Sequence, residues 1–435
     1  MMGEFPKVPL GEVAAVRSGF AFKSRDWTEI GVPVVKIANV KPGGLDMSGC
    51  SFVSKEVASR AADFNLQEGD VLISMTGYVG QVAEVRTRDI PAILNQRVGR
   101  FTVKDAKKLD ERFLYYCVTS PEFRERVESL GYGSVQPNVS PKAIHGIEIP
   151  LPAIKYQMAI SGFLGTLDDK IELNRRMNET LEAMARAFFR DWFVDFGPTR
   201  AKMAGRDPYL APDLWALFPD TLDAETGLPK GWELSQIGEE IEAVGGGTPS
   251  TKEPAFWDGG GHHWATPKDL SKLSSPVLLD TDRKITDAGA RKISSGLLPV
   301  GTVLLSSRAP IGYLAITEVP TAVNQGFIAI VCRKRLSNVF VLFWCHETLD
   351  YMKSISGGST FAEISKRIFR QIPVVMPSGQ ALGAYEGLVR PLYDRIVANA
   401  RESRTLAAIR DLLLPRLMSG EIRLREAEKT AESGT

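Results

Sequence analysis

The sequence predicts an α+β chain of two tandem α/β modules, each followed by a long helix, with the two helices packed as an antiparallel coiled coil about a pseudo-two-fold axis. Three observations predict this: an internal repeat, alternating strand and turn signals ahead of two prolines, and a heptad pattern behind each proline. At 435 residues and 44% hydrophobic content, the chain exceeds what one core usually serves.

The repeat comes first, because it organises everything else. "EGDVLISMTGYVGQVAEV" (Glu68 to Val85) echoes "VGTVLLSSRAPIGYLAIT" (Val300 to Thr317), and "LNQRVGRFTV" echoes "VNQGFIAIVC". Downstream the match settles to one offset of 225, pairing Ser134 with Ser359, Ser140 with Ser365, Ile147 with Ile372 and Pro152 with Pro377. It continues past each Pro, where Leu167, Asp169, Ile171, Asn174 and Leu181 answer to Leu392, Asp394, Ile396, Asn399 and Leu406. Upstream the offset loosens to 229 (Asn95 and Asn324) and 232 (Gly69 and Gly301), as insertions in loops would do.

Within each copy, Val- and Ile-rich runs bounded by Gly, Pro and Asn read as strands: "VPVVKIANV", "DVLISM", "GRFTV" and "IEIPLP", then "TVLLSS", "GFIAIVC" and "QIPVVMP". Between the last two strands of each copy lies a helix pair, "DERFLYYCVTSPEFRERVESLG" and "SNVFVLFWCHETLDYMKSISGG". After Pro152, Ile160, Leu164, Leu167, Ile171, Asn174, Asn178, Leu181, Ala185, Phe188 and Trp192 alternate 4 and 3 apart, which is coiled-coil spacing. The second copy gives Tyr385, Val389, Leu392, Ile396, Asn399, Ser403, Leu406, Arg410, Leu413 and Leu417, with Pro391 expected to kink or start the helix. Asn174 and Asn399 are expected to meet across the axis, where a polar seam residue fixes register. Apolar residues outside the seam, Met177, Met184, Phe189, Leu412 and Leu414, either contact partners or cover the chain's own modules. The boundaries follow: 1–152 first module, 153–196 first helix, 197–230 linker, 231–377 second module, 378–420 second helix, 421–435 polar tail. The linker holds prolines 198, 208, 212, 219 and 229, and its aromatics Tyr209, Trp215 and Phe218, with the following Trp232, imply that it packs on something.

The chemistry is conspicuous by what is missing. There is no Asn/Asp-Pro-Pro-aromatic loop and no phosphate loop, and Gly245 to Thr251 lacks the required Lys and reads as a turn. His262-His263 has no ligand partner at metal spacing, and Asp168-Asp169 sits on a helix where consecutive side chains diverge. Cys50, Cys117, Cys332 and Cys345 are too scattered for a disulfide framework or a thiolate zinc site. Met1 to Leu10 lacks a secretory core and no run reaches about 18 apolar residues, so a cytoplasmic protein is expected. Net charge is +1, from 53 basic and 52 acidic residues, and argues neither way about nucleic acid.

Two similar readers held apart by a rod of about 60 Å suit a ligand with two separated signals, and the duplex is the obvious candidate. The residues also carry a resemblance. "GSVQPNVSPKAIHGIEIPLP", "FFRDWFVDFGPTRAKMAGRDPYL", "LPKGWE", "GGGTPSTKEPAFW" with "HHWATPKDL", and "LLLPRLMSGEIRL" resemble the specificity subunit of type I restriction-modification systems over nearly the whole chain. The second module departs slightly, with "GGSTFAEIS" in place of "GSVQPNVS". The resemblance implies two target-recognition domains that each read half of a split DNA sequence, and helices that set the gap and dock two modification (methyltransferase) subunits. Restriction (motor) subunits would join them. It implies no catalytic site on this chain, with S-adenosylmethionine, ATP and magnesium bound by partner subunits.

Base readout needs hydrogen-bonding side chains on loops, with Lys or Arg for phosphate and guanine and Asn or Gln for adenine. The candidates are Lys36, Asn39, Lys41, Thr76, Tyr78, Arg97, Gln136 and Asn138 in the first module. In the second they are Thr266, Lys268, Lys272, Arg308, Ser359 and Thr360. Asn95-Gln96 and Asn324-Gln325 recur in both copies, which fits a shared structural role. Two other readings stay open: an unrecognised enzyme acting on nucleic acid, and a scaffold whose modules bind proteins.

Overall fold

The computed structural model describes residues 5–131, 137–357 and 362–424, so Gln136, Ser359, Thr360 and most of the tail lie outside the described residues. The chain divides into two compact units, residues 1–170 with 405–435, and residues 171–404. Each unit therefore combines one module with the near part of its own long helix and the far part of the other. The helices run Ile154–Phe193 and Gly379–Ser419, 40 and 41 residues. No helix among the described residues is long and apolar enough to cross a membrane.

In the first unit an antiparallel sheet orders Ala14–Ser18, Val98–Val103, Val71–Ser74 and Val82–Glu84. A second sheet orders Ile93–Leu94, Val32–Val35, Ser51–Val53 and Trp27–Thr28, with Ile93 and Leu94 parallel to Val34 and Val35. The first strand, Lys7–Pro9, pairs with the last, Glu148–Pro150, and so closes the module. The helix pair is Glu111–Thr119 and Pro121–Leu130, capped by the side chains of Asp110 and Ser120. Asp168 and Asp169 diverge as helical geometry requires. Asp168 accepts from Tyr116 Oη and Arg410 Nη1, both at 2.6 Å, while Asp169 meets Arg112. Burial, with the Asp168 carboxylate alongside, pushes the Tyr116 hydroxyl well above its ordinary pKa.

The second unit repeats this plan with a fuller core. Glu242–Gly245, Phe327–Val331, Val303–Ser306, Leu314–Thr317 and Val277–Leu278 form a five-stranded sheet, and Arg283–Ile285, His262–Ala265 and Thr321–Val323 a three-stranded one. Helix Asn338–Glu347 buries every residue from Val339 to Cys345, as an all-round apolar helix must. All four cysteines are free thiols, and burial raises those of Cys117 and Cys345.

Within this unit the long helices run antiparallel, because partners fall along one helix as they rise along the other. Asn174 Nδ2 reaches the Asn399 carbonyl at 3.5 Å, Glu402 Oε2 at 2.7 Å and Ser403 Oγ at 3.3 Å. Asn399 Nδ2 donates to Asn178 Oδ1 at 2.8 Å, and Asn178 Nδ2 to the Ile396 carbonyl at 3.4 Å. Repeat-equivalent asparagines thus meet, in a buried polar layer flanked by Ile171, Leu181, Leu392 and buried Ile396. In the first unit Leu167 and Leu406 are buried.

One expectation is corrected. Pro391 does not start the second helix; it is exposed inside Gly379–Ser419, where buried Val389 and Tyr393 anchor the chain on either side of one lost backbone bond. Of the two readings open for the apolar residues outside the seam, Phe189 and Leu414 follow the second and cover the chain's own modules. Phe189 is 2% exposed against Phe340 and Tyr385, and Leu414 is 7% exposed, because each helix is covered by a module as well as by the other helix. Met184 and Leu412 do remain exposed, at 43% and 55%. The linker forms helices Gly197–Met203 and Pro212–Ala216, and packs on the end of the first long helix: Phe218 meets Trp192 edge to face at 4.9 Å, and Phe193 meets Trp232 at 5.9 Å.

Two outcomes follow. Asn399→Leu strands Asn178 and should cost about 1 to 3 kcal/mol, read as a lower urea midpoint, whereas adding Asn178→Leu should restore most of the loss. Burial and the neighbouring Arg186 lower the His346 pKa to about 4, while burial raises that of Glu182, whose carboxyl lies 3.8 Å from the ring. Its folded pKa is depressed below the unfolded value, so stability is full above pH 6.5 and is lost as pH falls from 6.5 toward 4. The loss should reach about 3 kcal/mol at most, and His346→Phe should flatten thermal melting across that window.

Candidate nucleic-acid interface

Each module builds the same frame at the end of the strand that carries the turn. In the first, the buried Ser74 hydroxyl accepts from Gln81 N at 3.0 Å and donates to the Tyr78 carbonyl, which ties residues 74–81 into a tight loop. In the second, Ser306 Oγ accepts from Gly312 N at 3.1 Å and Tyr313 N at 2.8 Å and donates to the Pro310 carbonyl at 2.8 Å. Gly77 and Gly80 have φ of +74° and +82°, a conformation that glycine adopts without strain.

Backbone bonds then gather three more segments around each turn. Met75 N bonds the Arg97 carbonyl and Val139 N the Met75 carbonyl; Ser307 N bonds the Gly326 carbonyl and Ile364 N the Ser307 carbonyl. A methyl placed on Gly77 would touch Ile37, and one on Gly326 would touch Pro267, which brings up the loops after Val32–Val35 and His262–Ala265. The recurring asparagines build this frame: Asn95 Oδ1 caps Arg97 N at 3.2 Å and Asn324 Oδ1 caps Gly326 N at 2.9 Å.

In the first module the frame brings Lys36, Thr76, Tyr78, Arg97 and Asn138 together. Tyr78 is 78% exposed, and the Arg97 guanidinium is exposed with no ion pair among the described residues. Thr76 Oγ1 donates to Asn138 Oδ1 at 2.9 Å across the two loops. Lys36 is half-buried, with its ammonium 3.8 Å from the Trp27 ring and 2.6 Å from Ser51 Oγ. Asn39 is corrected to a turn residue, 5% exposed, which accepts from Lys36 N and donates to the Asp46 carbonyl. Lys41 is exposed at the start of a separate two-stranded hairpin, Val40–Lys41 with Gly44–Leu45.

In the second module Lys268 and Arg308 share the frame with Gln325, whose Oε1 accepts from Thr248 Oγ1 at 2.6 Å. Lys268 is exposed and its ammonium has no ion pair among the described residues. The Thr266 hydroxyl is spent on Asp269 Oδ2 at 2.6 Å as a helix cap, and Lys272 pairs with Asp282 at 2.5 Å, so neither side chain is free. The adjacent histidines serve the fold: His263 Nδ1 lies 2.8 Å from Lys284 Nζ and 3.2 Å from Asp280 Oδ1, and burial plus Lys284 lower its pKa.

A family model described as the type I restriction modification DNA specificity domain matches residues 2–183 and again 229–381. The chain belongs to that family. The specificity subunit of the type I restriction enzyme HindI of Haemophilus influenzae is 26% identical over 356 residues, 71% of this chain and 77% of the relative. The MjaIX specificity subunit of Methanocaldococcus jannaschii is 39% identical over 181 residues, 41% of each chain. The crystal structure of a type I restriction-modification S subunit from M. genitalium aligns with a TM-score of 0.54 at 18% identity, covering 96% of this chain and 99% of that one, a likeness of fold.

Sequence reasoning missed the residues that hold the two turns, Ser74 and Ser306. Ser74 and Ser306 were visible as repeat equivalents, but nothing in their surroundings marks a buried hydroxyl. Ser306→Ala removes a partner from two backbone amides and a carbonyl, and should cost about 1 to 3 kcal/mol locally. Amide exchange at Gly312 and Tyr313 should accelerate while that of the Val303–Ser306 strand core stays slow.

Proposed function

We propose that this chain is the non-catalytic specificity subunit of a type I restriction-modification complex, with each module reading one half of a split duplex target. The long helices set the separation of the halves and dock two modification subunits, and restriction subunits join the assembly in the cytoplasm. S-adenosylmethionine, ATP and magnesium are bound by those partners. The observation that carries this reading is one backbone frame built twice with different side chains at the same positions, which suits two readers of different sequences. Exposed Arg97 and Lys268 supply positive charge beside each frame, where phosphates are contacted.

The test is to co-express the chain with its modification subunit and map methylated positions on genomic DNA. Methylation at one split motif, lost when this chain is omitted, is the expected result. Affinity of the complex should fall steeply with salt, and Lys268→Ala should weaken binding evenly across sequences. A stable complex without motif-specific methylation would refute the reading.

A further inference from the structure

We propose that one cross-loop residue pair in each module selects a base: Arg308 with Glu363 in the second, where Glu363 positions the Arg308 guanidinium for guanine, and Thr76 with Asn138 in the first, where Asn138 reads adenine. This rests on the functional reading above and deepens it. Thr76 and Arg308 stand 232 apart, the offset of Gly69 and Gly301, while Asn138 and Glu363 keep the 225 offset of the downstream repeat. The backbone treats the pairs as equivalents, for Thr76 forms an antiparallel bridge with Asn138 and Arg308 forms one with Glu363. The flanking bonds also correspond, Val139 N to Met75 O and Ile364 N to Ser307 O. Here the frame is held constant and the side-chain chemistry is exchanged, which is what two readers of different half-sites require.

The geometry indicates what each pair presents. Arg308 Nη1 lies 3.8 Å from Glu363 Oε2, and the two side chains are 38% and 47% exposed. A carboxylate on a surface that meets phosphates is repelled unless it has a task. At 3.8 Å it holds the guanidinium nearby by charge without spending an N–H on it, which leaves the N–H groups free for the O6 and N7 acceptors of guanine. In the first module Thr76 is 9% exposed and spends its hydroxyl on Asn138 Oδ1, whereas Asn138 is exposed. That bond orients the amide and leaves its NH2 and one oxygen lone pair for the N7 and N6 edge of adenine.

The experiment uses the complex with its modification subunit and duplexes that carry the wild-type motif with each base replaced in turn. Glu363→Gln should reduce discrimination at one guanine position of one half-site by about tenfold to a hundredfold, with Glu363→Asp restoring part of it. Arg308→Lys, which keeps charge but loses the planar fork, should relax the same position. Asn138→Ala should relax an adenine in the other half-site only. The untouched half-site reports folding and assembly in every variant. Full wild-type discrimination in Glu363→Gln and Arg308→Lys, or relaxation spread over both halves, overturns the pair assignment and leaves the specificity role standing. A wild-type complex with no motif overturns that role, and the pair with it.

Discussion

A helix of forty residues carries an apolar stripe longer than one module can cover, and its burial governs the rest of the architecture. The first long helix gives residues 154–170 to one compact unit and 171–193 to the other, and the second is divided at residue 404. Neither module finishes its core alone. Phe189, Trp192 and Phe193, near the end of the first helix, join Phe340 and Tyr385 of the second repeat in one aromatic cluster. Truncating any one of these rings would cost about 3 to 5 kcal/mol by the usual core penalty.

The polar layer at Asn174, Asn178 and Asn399 is the counterpart to that apolar burial. Leucine stripes tolerate sliding by a heptad, because every layer resembles the next. Three buried amides bonded to one another and to backbone carbonyls do not, since a shifted register would leave each unsatisfied in the interior. Asn174 Oδ1 is buried without a partner among the described residues, so the layer holds alignment at some expense in stability.

The long-range plan was legible because it rests on periodicity and repetition, which sequence records directly. The offset of 225, the heptads and the strand runs all reappear as elements, and the Asn174–Asn399 meeting follows from them. Phe189 was left between two readings because a heptad marks only the line facing the partner helix, whereas this helix is buried over a wider arc. Lys36 was chosen for its charge, but the Trp27 ring beneath it becomes adjacent only when two strands pair. Glu363 was overlooked because a search for DNA contacts favours basic and amide side chains. Its signal was present in the offset linking it to Asn138, and became meaningful only when both were seen on matching bridges.

The division of the helices also sets an order of events during synthesis. The amino-terminal unit includes residues 405 onward, where Leu413 and Leu417 are at most 1% exposed and Arg410 grips Asp168. The first module is translated early, yet its last layer of core is available only once the chain has been made past residue 405. Until then its apolar seam stays open to chaperones or to a second nascent chain. A stop before residue 405 would therefore leave the first module without part of its core, and quality control acting on that module would in effect inspect the chain through its second long helix.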